Sequence, residues 1–535
     1  PNTSKKLVQN AGKENRRLGW DLTFSPEKAI DVAFITADSD EQKRILNVHN
    51  QAVDEALAFV QENLFARTGH NGTERKDSKG LCIRQVVHVD SREADAQLHT
   101  HNVIVNLSLG EDGKLRSIEE KTFLQIEKAA GAFYRQRIAE GMKALGYGVE
   151  RKTVLDADGR ETGIVKTSIN GISEAAEKAL STRSQQIKAE VEESGVSRDQ
   201  AALKTRKNKA KDLDPAEVIA RSLEKLHSQE LLQFHNANEL KNRRGLDLDQ
   251  KPQERIFEEL HAQESSFNYF NLVEKLANSG YDQPVKEAKA MIAEAIKDGS
   301  LIELKEQDRT RQFCSKAQWG MEAEIGNCAL ARKEDQSVRL APERVAQAIA
   351  EHEQGQGFKL TKEQRDSVEF VACGTGGLAI LSGQAGTGKT ATAGAYVKAF
   401  EASGYKVYGS SSAQAATEKL EAEAMIESFN TTSLLSRLDN GKIKLDAKSV
   451  IVLDEAGMVG AKTFRRIQEH IAQAGGKLIA VGDALQLQPI ESGSPFRVLI
   501  HELGEAKLTQ IRRQKGEAER AIACLLYTSD AADDL

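Results

Sequence analysis

Leu381–Thr390 reads LSGQAGTGKT, and its surroundings decide how it is to be read. The apolar run Leu378-Ala379-Ile380-Leu381 leads into Gly383-Gln384-Ala385-Gly386-Thr387-Gly388-Lys389-Thr390, and a helical pattern follows over Ala391–Ala402. Strand, glycine-rich loop and helix in that order are the context in which the pattern G-x-x-x-x-G-K-[ST] carries meaning. Glycines at 383, 386 and 388 let backbone N–H groups curl around phosphate oxygens at a helix N-terminus. Lys389 is then placed to reach the β- and γ-phosphates, and the Thr390 hydroxyl to ligate Mg²⁺. Gly383, Gly386, Thr387, Gly388, Lys389 and Thr390 are therefore candidate nucleotide-binding residues. A glycine-rich turn without a ligand leaves the flanking strand and helix unexplained.

The chain has 535 residues, enough for roughly three to five domains. With 39% hydrophobic and 29% charged residues it has a globular composition. No apolar run approaches the ~20 residues of a membrane span. The formal net charge of −6 does not advertise nucleic-acid binding, but a whole-chain sum can hide a basic cleft. Cys82, Cys314, Cys328, Cys373 and Cys524 stand far apart, with no C-x-x-C pair. That spacing argues against a zinc knuckle or disulfide framework and fits a reducing cytosol. Both ends look cut: the chain starts at Pro1 without Met or a signal peptide, and Cys524–Leu535 (CLLYTSDAADDL) drops the preceding pattern. That last stretch resembles translated adapter read-through and is set aside from fold reasoning.

Residues 16–36 open with Trp20, Leu22 and Phe24 alternating with Asp21, Thr23 and Ser25, a half-buried strand followed by a helix-like stretch from Pro26. Asp21 projects opposite to the aromatic residues; read alone, it is a solvated strand carboxylate. Residues 42–66 have the apolar spacing of an amphipathic helix. Leu81–Asp90 (LCIRQVVHVD) and Leu98–Leu107 (LHTHNVIVNL) read as a hairpin. His99 and His101, two apart on a strand, share one face, and His88 lies across the hairpin. Of 11 histidines in the chain, three fall within residues 88–101. Neutral imidazoles converging on one face are a common divalent-metal arrangement with a position open to substrate.

GWDLTFSPEKA, followed by VVHVDSREADAQLHTHNVIVN, resembles the relaxase domain of MobF-type conjugative relaxase–helicases, the TraI/TrwC family, over Arg16–Arg183. The resemblance implies an HUH-type fold with a central antiparallel sheet, and His88, His99 and His101 as ligands of a divalent metal, Mg²⁺ or Mn²⁺ or another transition ion. Three imidazoles suit transition ions better than Mg²⁺. It also implies that Asp21 activates an attacking tyrosine and orients a histidine. Cleaving a phosphodiester needs an in-line nucleophile and a cation against the phosphoryl oxygens. A tyrosine nucleophile conserves the bond as a 5′-phosphotyrosine. The family's catalytic tyrosines precede the DLTFS motif, whereas the first tyrosine here is Tyr134, in a helical pattern that suits packing. Metal and single-stranded DNA binding without nicking is the expectation for this chain.

Residues 120–145 read as a helix and 147–168 as a hairpin turning at Asp158-Gly159. Residues 184–250 are polar and helical, with a basic cluster at Lys204–Lys211 that is either a solvated face or a contact for DNA phosphate. Residues 251–340 hold short helices and a strand-like Ser300–Leu304, consistent with a small domain ahead of a motor.

The motor motifs resemble superfamily 1 helicases of the RecD-like branch, which track 5′ to 3′. Gln364, in FKLTKEQRDSVEFV, resembles the glutamine that reads the adenine edge, although a surface glutamine would look the same. Lys406–Ser411 is a second strand, and Ser412–Leu420 is similar to the motif that grips single-stranded DNA. Ser449–Leu453 (SVIVL) reads as a fully buried parallel strand ending in Asp454-Glu455, and ligands bind at the carboxyl ends of such strands. Asp454 is expected to hold Mg²⁺ through water and Glu455 to polarise the attacking water. After Lys477–Val481, Gln486 looks like the γ-phosphate sensor. KLTQIRRQ resembles the second-lobe motif that gives an arginine to the γ-phosphate, with Arg513 favoured and Arg512 next.

The expected organisation is multidomain α/β and α+β. It comprises a relaxase over 1–185, a helical linker over 186–250, an accessory domain over 251–345, a RecA-like lobe over 346–500, and a truncated second lobe over 501–535. ATP is expected to bind without vigorous hydrolysis or unwinding. The resemblance implies a relaxase–helicase acting on single-stranded plasmid DNA at the transfer origin, with relaxosome accessory proteins and a type IV secretion coupling protein as partners. It places the protein in the bacterial cytoplasm, without membrane insertion, and implies its transfer to the recipient cell. The alternatives are a non-catalytic DNA-binding remnant and a RecD-like repair helicase.

Overall fold

The alternation in LHTHNVIVNL predicts a strand with one wet and one dry side, and a computed structural model shows both. It describes residues 17–69, 74–91, 93–155, 161–206, 214–262, 264–306, 310–384, 386–484 and 491–510. The chain divides into two compact units, one formed by the described parts of 1–257, 267–298 and 303–313, the other by those of 258–266, 299–302 and 314 onward.

In the first unit, β1 (Gly19–Phe24), β2 (Gly80–Asp90) and β3 (Ala96–Leu109) form an antiparallel sheet in the order β1-β3-β2, with Leu115–Arg116 paired to the far end of β3. Leu98, Thr100, Asn102, Ile104, Asn106 and Ser108 of the central strand are buried, whereas Val103 between them is 40% exposed. Three helices back the dry face: α1 (Lys28–Thr36), α2 (Ser39–Asn63) and α3 (Glu120–Ala144). Trp20 stacks on Phe123 and Phe24 on Tyr134, with ring centroids 4.8 and 5.0 Å apart. The second helix starts earlier than its apolar stripe suggests because the Asp38 carboxylate accepts from the N–H groups of Asp40 and Glu41, capping it. Its stripe of Ile45, Ala52, Val53, Ala56 and Val60 is buried. α2 and α3 approach so closely that a Cβ on Gly141 would lie 2.3 Å from Val48 Cγ1.

The segment expected to be a linker is part of this unit. α4 (Pro215–Ser228), capped by Asp214, docks on the start of β3. Ala96 N–H donates to Ser222 Oγ (2.9 Å), and Lys225 pairs with Asp95 (2.9 Å). The other Asp95 oxygen accepts from Thr182 N–H (2.9 Å). Of the basic cluster, Lys204 pairs with Glu190, and residues 207–211 lie outside the described residues. So do the turn residues Asp158 and Gly159; the strands on either side, Val149–Leu155 and Glu161–Ile169, pair as expected. Part of the stretch expected to form an accessory domain also packs here: Tyr269 and Phe270 reach Phe59 of α2, with centroids 6.4 and 6.3 Å apart.

The second unit is a six-stranded parallel sheet. Its strands are β4 (Leu378–Gly383), β5 (Lys406–Ser411), β6 (Glu427–Asn430), β7 (Ser449–Leu453), β8 (Lys477–Gly482) and β9 (Ala506–Leu508), in the order β6-β5-β7-β8-β4-β9. The runs LAILSG, SVIVL and KLIAVG are buried along their whole length. Both faces are covered, which is why these strands read as continuous apolar runs. α5 (Lys362–Glu369) and α6 (Lys389–Ala402) flank the loop after β4. β9 differs from expectation: instead of opening a second lobe, Ala506–Leu508 pairs with Leu381–Gly383 at the edge of this same sheet. Ala506 and Leu508 are buried, 7% and 1% exposed, and Thr509 and Gln510 N–H groups donate to Glu363 of α5. Burial of two apolar side chains and the new edge pairing decide its place. No helix among the described residues is long and apolar enough to cross a membrane.

Candidate metal centre and nucleotide site

The antiparallel register sets His88 directly opposite His99, and His101 opposite Val86 and Thr23. All three histidines therefore emerge on the wet face. One nitrogen from each lies within 4.8 Å of the others, and the ring centroids are 5.0 to 5.3 Å apart. Three imidazoles within reach of one ion form the donor set of an open N₃ site.

Asp21 projects onto that same face, opposite Val103. Its Oδ2 lies 2.7 Å from His101 Nδ1, and Thr23 Oγ1 lies 3.0 Å from the same nitrogen. A carboxylate at Nδ1 holds the proton there and turns the Nε2 lone pair outward. His99 Nδ1 lies 3.0 Å from the Gln97 carbonyl oxygen, which fixes its tautomer in the same sense. Burial lowers the His99 pKa, and the two neighbouring imidazoles lower it further, against the opposing bond to Gln97. A neutral ring is what a metal requires.

Tyr134 stands on the other side of the sheet, 1% exposed. Its hydroxyl bonds His49 Nδ1 (2.8 Å), and His49 Nε2 bonds Thr100 Oγ1 (2.7 Å). Burial raises the phenol pKa well above its ordinary value. Tyr134 is thus a packing residue. Sequence reasoning missed His49, which is 0% exposed and whose pKa burial pushes down to about 4. Its helical position carried no distinguishing signal.

In the second unit, Gly386 and Gly388 adopt φ of 85° and 88°, a region that strains any L side chain. A Cβ on Gly388 would lie 2.4 Å from Gln364 Nε2. Lys389 Nζ donates to the Gly383 carbonyl (2.6 Å), folding back over the loop. Lys389, Thr390 and Asp454 line one cleft, so the register of β4, β8 and β7 brings the loop and the acidic pair together. Burial raises the Asp454 pKa, while the Glu455 N–H and Lys389 oppose the rise. Burial also raises Glu455, and the neighbouring Asp454 charge adds to it. Glu455 sits at φ 51°, and its Oε2 is buried without a hydrogen-bond partner among the described residues. Left-handed backbone at a non-glycine residue is costly and concentrates at functional sites.

Gln364 also reaches this loop. It is 2% exposed; its Oε1 accepts from Thr361 N–H (3.0 Å) in a capping box, and its Nε2 donates to the Thr387 carbonyl (3.3 Å). The amide thus braces the loop. Gln486, Arg512 and Arg513 lie outside the described residues.

Comparison with known proteins agrees with this division. Residues 1–229 match the TrwC relaxase family and residues 359–535 an AAA domain. The chain is 33% identical over 304 residues to a probable conjugal transfer protein TraA of Sinorhizobium fredii, an alignment covering 55% of this chain and 26% of that protein. It is 38% identical over 190 residues to conjugal transfer protein TraA of Agrobacterium fabrum, covering 33% of this chain and 17% of that protein. It is 34% identical over 230 residues to the multifunctional conjugation protein TraI of Escherichia coli, covering 40% of this chain and 12% of that protein. The matched part thus spans about a quarter or less of these relatives' lengths. Among solved structures, conjugative relaxase TrwC in complex with OriT DNA is similar at 23% identity and a TM-score of 0.37, covering 43% of this chain and 80% of that one. With a TrwC relaxase match over residues 1–229, an AAA-domain match over 359–535 and the TraA and TraI proteins as partial relatives, the chain is similar to the MobF-type relaxase–helicases over these matched parts.

Proposed function

We propose that the first unit is the strand-transfer half, and the second the nucleotide-driven motor half, of a conjugative DNA relaxase–helicase. The observation that carries this reading is the convergence of three imidazoles beside Asp21 on an open sheet face, in a chain that also places Lys389 against Asp454. The metal, when bound, would neutralise charge on the phosphoryl oxygens of a DNA phosphodiester. Asp21 and Thr23 hold the His101 ring in the tautomer that presents Nε2. A tyrosyl hydroxyl would attack the phosphorus as the 3′-oxygen leaves, giving a 5′-phosphotyrosine that can be rejoined. Tyr134 does not supply that hydroxyl, because it is buried behind the sheet. The imidazole set favours Mn²⁺ or another transition ion over Mg²⁺.

In the motor half, Lys389 and Thr390 would bind the phosphates and Mg²⁺ of ATP, Asp454 would hold the metal's waters, and Glu455 would polarise the attacking water. Gln486 and Arg513 keep their assignments as γ-phosphate contacts. The 5′-to-3′ direction, origin DNA as substrate, the relaxosome and coupling-protein partners, and the bacterial cytoplasm belong to the same reading, supported by the family relationship. The TrwC relaxase family match over residues 1–229 supports placing DNA and metal at this face.

The test is a pair of titrations on the chain. Mn²⁺ is followed by calorimetry and a fluorescent ATP analogue by anisotropy, each repeated with His99→Ala and Lys389→Ala. One ion lost only with the first variant, and one nucleotide lost only with the second, is the expected outcome. Metal binding indifferent to His99→Ala overturns the relaxase assignment. With the full-length gene product and Mg²⁺ or Mn²⁺, a covalent adduct with a labelled origin single strand distinguishes a relaxase from a protein that binds DNA without cleaving it.

A further inference from the structure

Two buried polar groups at or beside the nucleotide cleft have no part in the roles described so far. Tyr396 lies on α6 seven residues after Lys389, and so on the same helix face, and it is 0% exposed. Its hydroxyl is buried and has no hydrogen-bond partner among the described residues. It lines the cleft together with Lys389, Thr390 and Asp454. The Asp454 charge adds to burial in raising the phenol pKa, which is an independent sign of their proximity.

Ser411, the last residue of β5, is the second such group. It is 0% exposed, and its Oγ also lacks a partner among the described residues. Val450 and Val452 of β7 pack in the same core as Tyr396, so Asp454, two residues on, faces that side. Val407 of β5 lies in that core too, which turns Ser411 the same way. The parallel register ends with Ser410 opposite Leu453, so the next step sets Ser411 beside Asp454. The Asp454 N–H donates to the Ser410 carbonyl (2.8 Å), holding the two strand ends together. Buried hydroxyls are nearly always paired, and an orphan beside a candidate metal-water ligand calls for an explanation.

We propose that Tyr396 is a positioning residue for the divalent cation of the nucleotide site: its hydroxyl, unpartnered among the described residues, is the donor to which Asp454 turns its inner carboxylate oxygen once the cation's waters engage the outer one, with Ser411 as a weaker second donor. Tyr396 touches neither nucleotide nor cation. A filler role alone would be met equally well by phenylalanine. This inference rests on the nucleotide site proposed above, and the experiment separates the two.

The full chain is titrated with N-methylanthraniloyl-ADP in EDTA and again at increasing Mg²⁺, for the unaltered protein, Tyr396→Phe and Ser411→Ala. Nucleotide affinity without Mg²⁺ is expected to stay within twofold in both variants. In Tyr396→Phe the Mg²⁺ concentration giving half-maximal enhancement is expected to rise about five- to tenfold, and in Ser411→Ala about twofold. A thermal melt of each variant without ligand reports packing separately. If Tyr396→Phe leaves the Mg²⁺ midpoint unchanged, or weakens binding equally with and without Mg²⁺, the positioning role is overturned while the site stands. If the unaltered chain binds no nucleotide, the site reading fails and the inference falls with it.

Discussion

The histidine trio draws its imidazoles from one hairpin, residues 88–101, whereas the nucleotide cleft gathers Lys389 and Asp454 from strand ends far apart in the chain. The first lies on an open sheet face, with His101 34% and Asp21 49% exposed. The second is built at the carboxyl ends of strands covered on both faces, and burial is the largest cause of the raised pKa at both Asp454 and Glu455. A local hairpin can assemble its site from register alone, because a slip of one residue would turn His99 and His101 into the core. A parallel sheet must first complete distant pairings. The two sites should therefore be energetically separable, and the strongest test is the variant that ought to silence only one of them.

His99→Ala is expected to weaken Mn²⁺ or Zn²⁺ binding by more than about 100-fold in calorimetry, leaving nucleotide affinity unchanged. A parallel fall in nucleotide affinity would break the separation. The next largest effect concerns His49, behind the strand that carries His99 and His101. Its pKa falls from 6.5 in the unfolded chain to about 4 in the fold. The unfolded chain therefore takes up the proton first, and stability present above pH 6.5 is lost as pH falls toward 4. The loss is at most about 3 kcal/mol. Asp31, raised to about 6 by burial, acts with the opposite sign over the same range. The readout is therefore the difference between the acid limbs of the unaltered chain and His49→Gln in thermal melts, with the variant expected to show the flatter loss.

Asp21→Asn keeps the shape of the acceptor at His101 Nδ1 but removes its charge. About a tenfold loss of metal affinity is expected by the same calorimetry, with folding unchanged. The smallest expected effect lies in the second unit. Arg365 makes two 3.0 Å bonds to Glu353, yet its side chain is 41% exposed. Arg365→Ala should cost less than about 1 kcal/mol in denaturant unfolding and leave metal affinity at the trio untouched.

Legibility in the sequence followed the range of the interactions. Period-two alternation revealed β1, β2 and β3, and with them the shared face of His88, His99 and His101. Uninterrupted apolar runs revealed β4, β7 and β8. Glu427–Asn430 (ESFN) is too polar to announce itself as β6, and it is held by pairing with β5. Ser222 and Lys225 look like ordinary positions on a polar helix, but they fasten α4 to β3 through partners more than a hundred residues away. Gln364 matched a motif, but only its burial shows that its amide braces the phosphate loop through Thr387. Tyr396 falls within an ordinary helical pattern, and nothing in its neighbours marked its hydroxyl as buried without a partner among the described residues.

The sequence by itself determined the chemistry available: a phosphate cradle with its lysine, an acidic pair closing a buried strand, and three imidazoles spaced for one face of a hairpin. Each depends on a repeat of two or 3.6 residues, or on a loop short enough to read directly. Only the tertiary structure decided that β9 completes the parallel sheet of the second unit, that the polar helix after residue 214 belongs to the unit carrying the histidine trio, and that Asp21 meets His101 across the strands. Those outcomes are set by side chains distant in sequence competing for burial and hydrogen-bond partners, and such competition leaves no periodic trace in the chain.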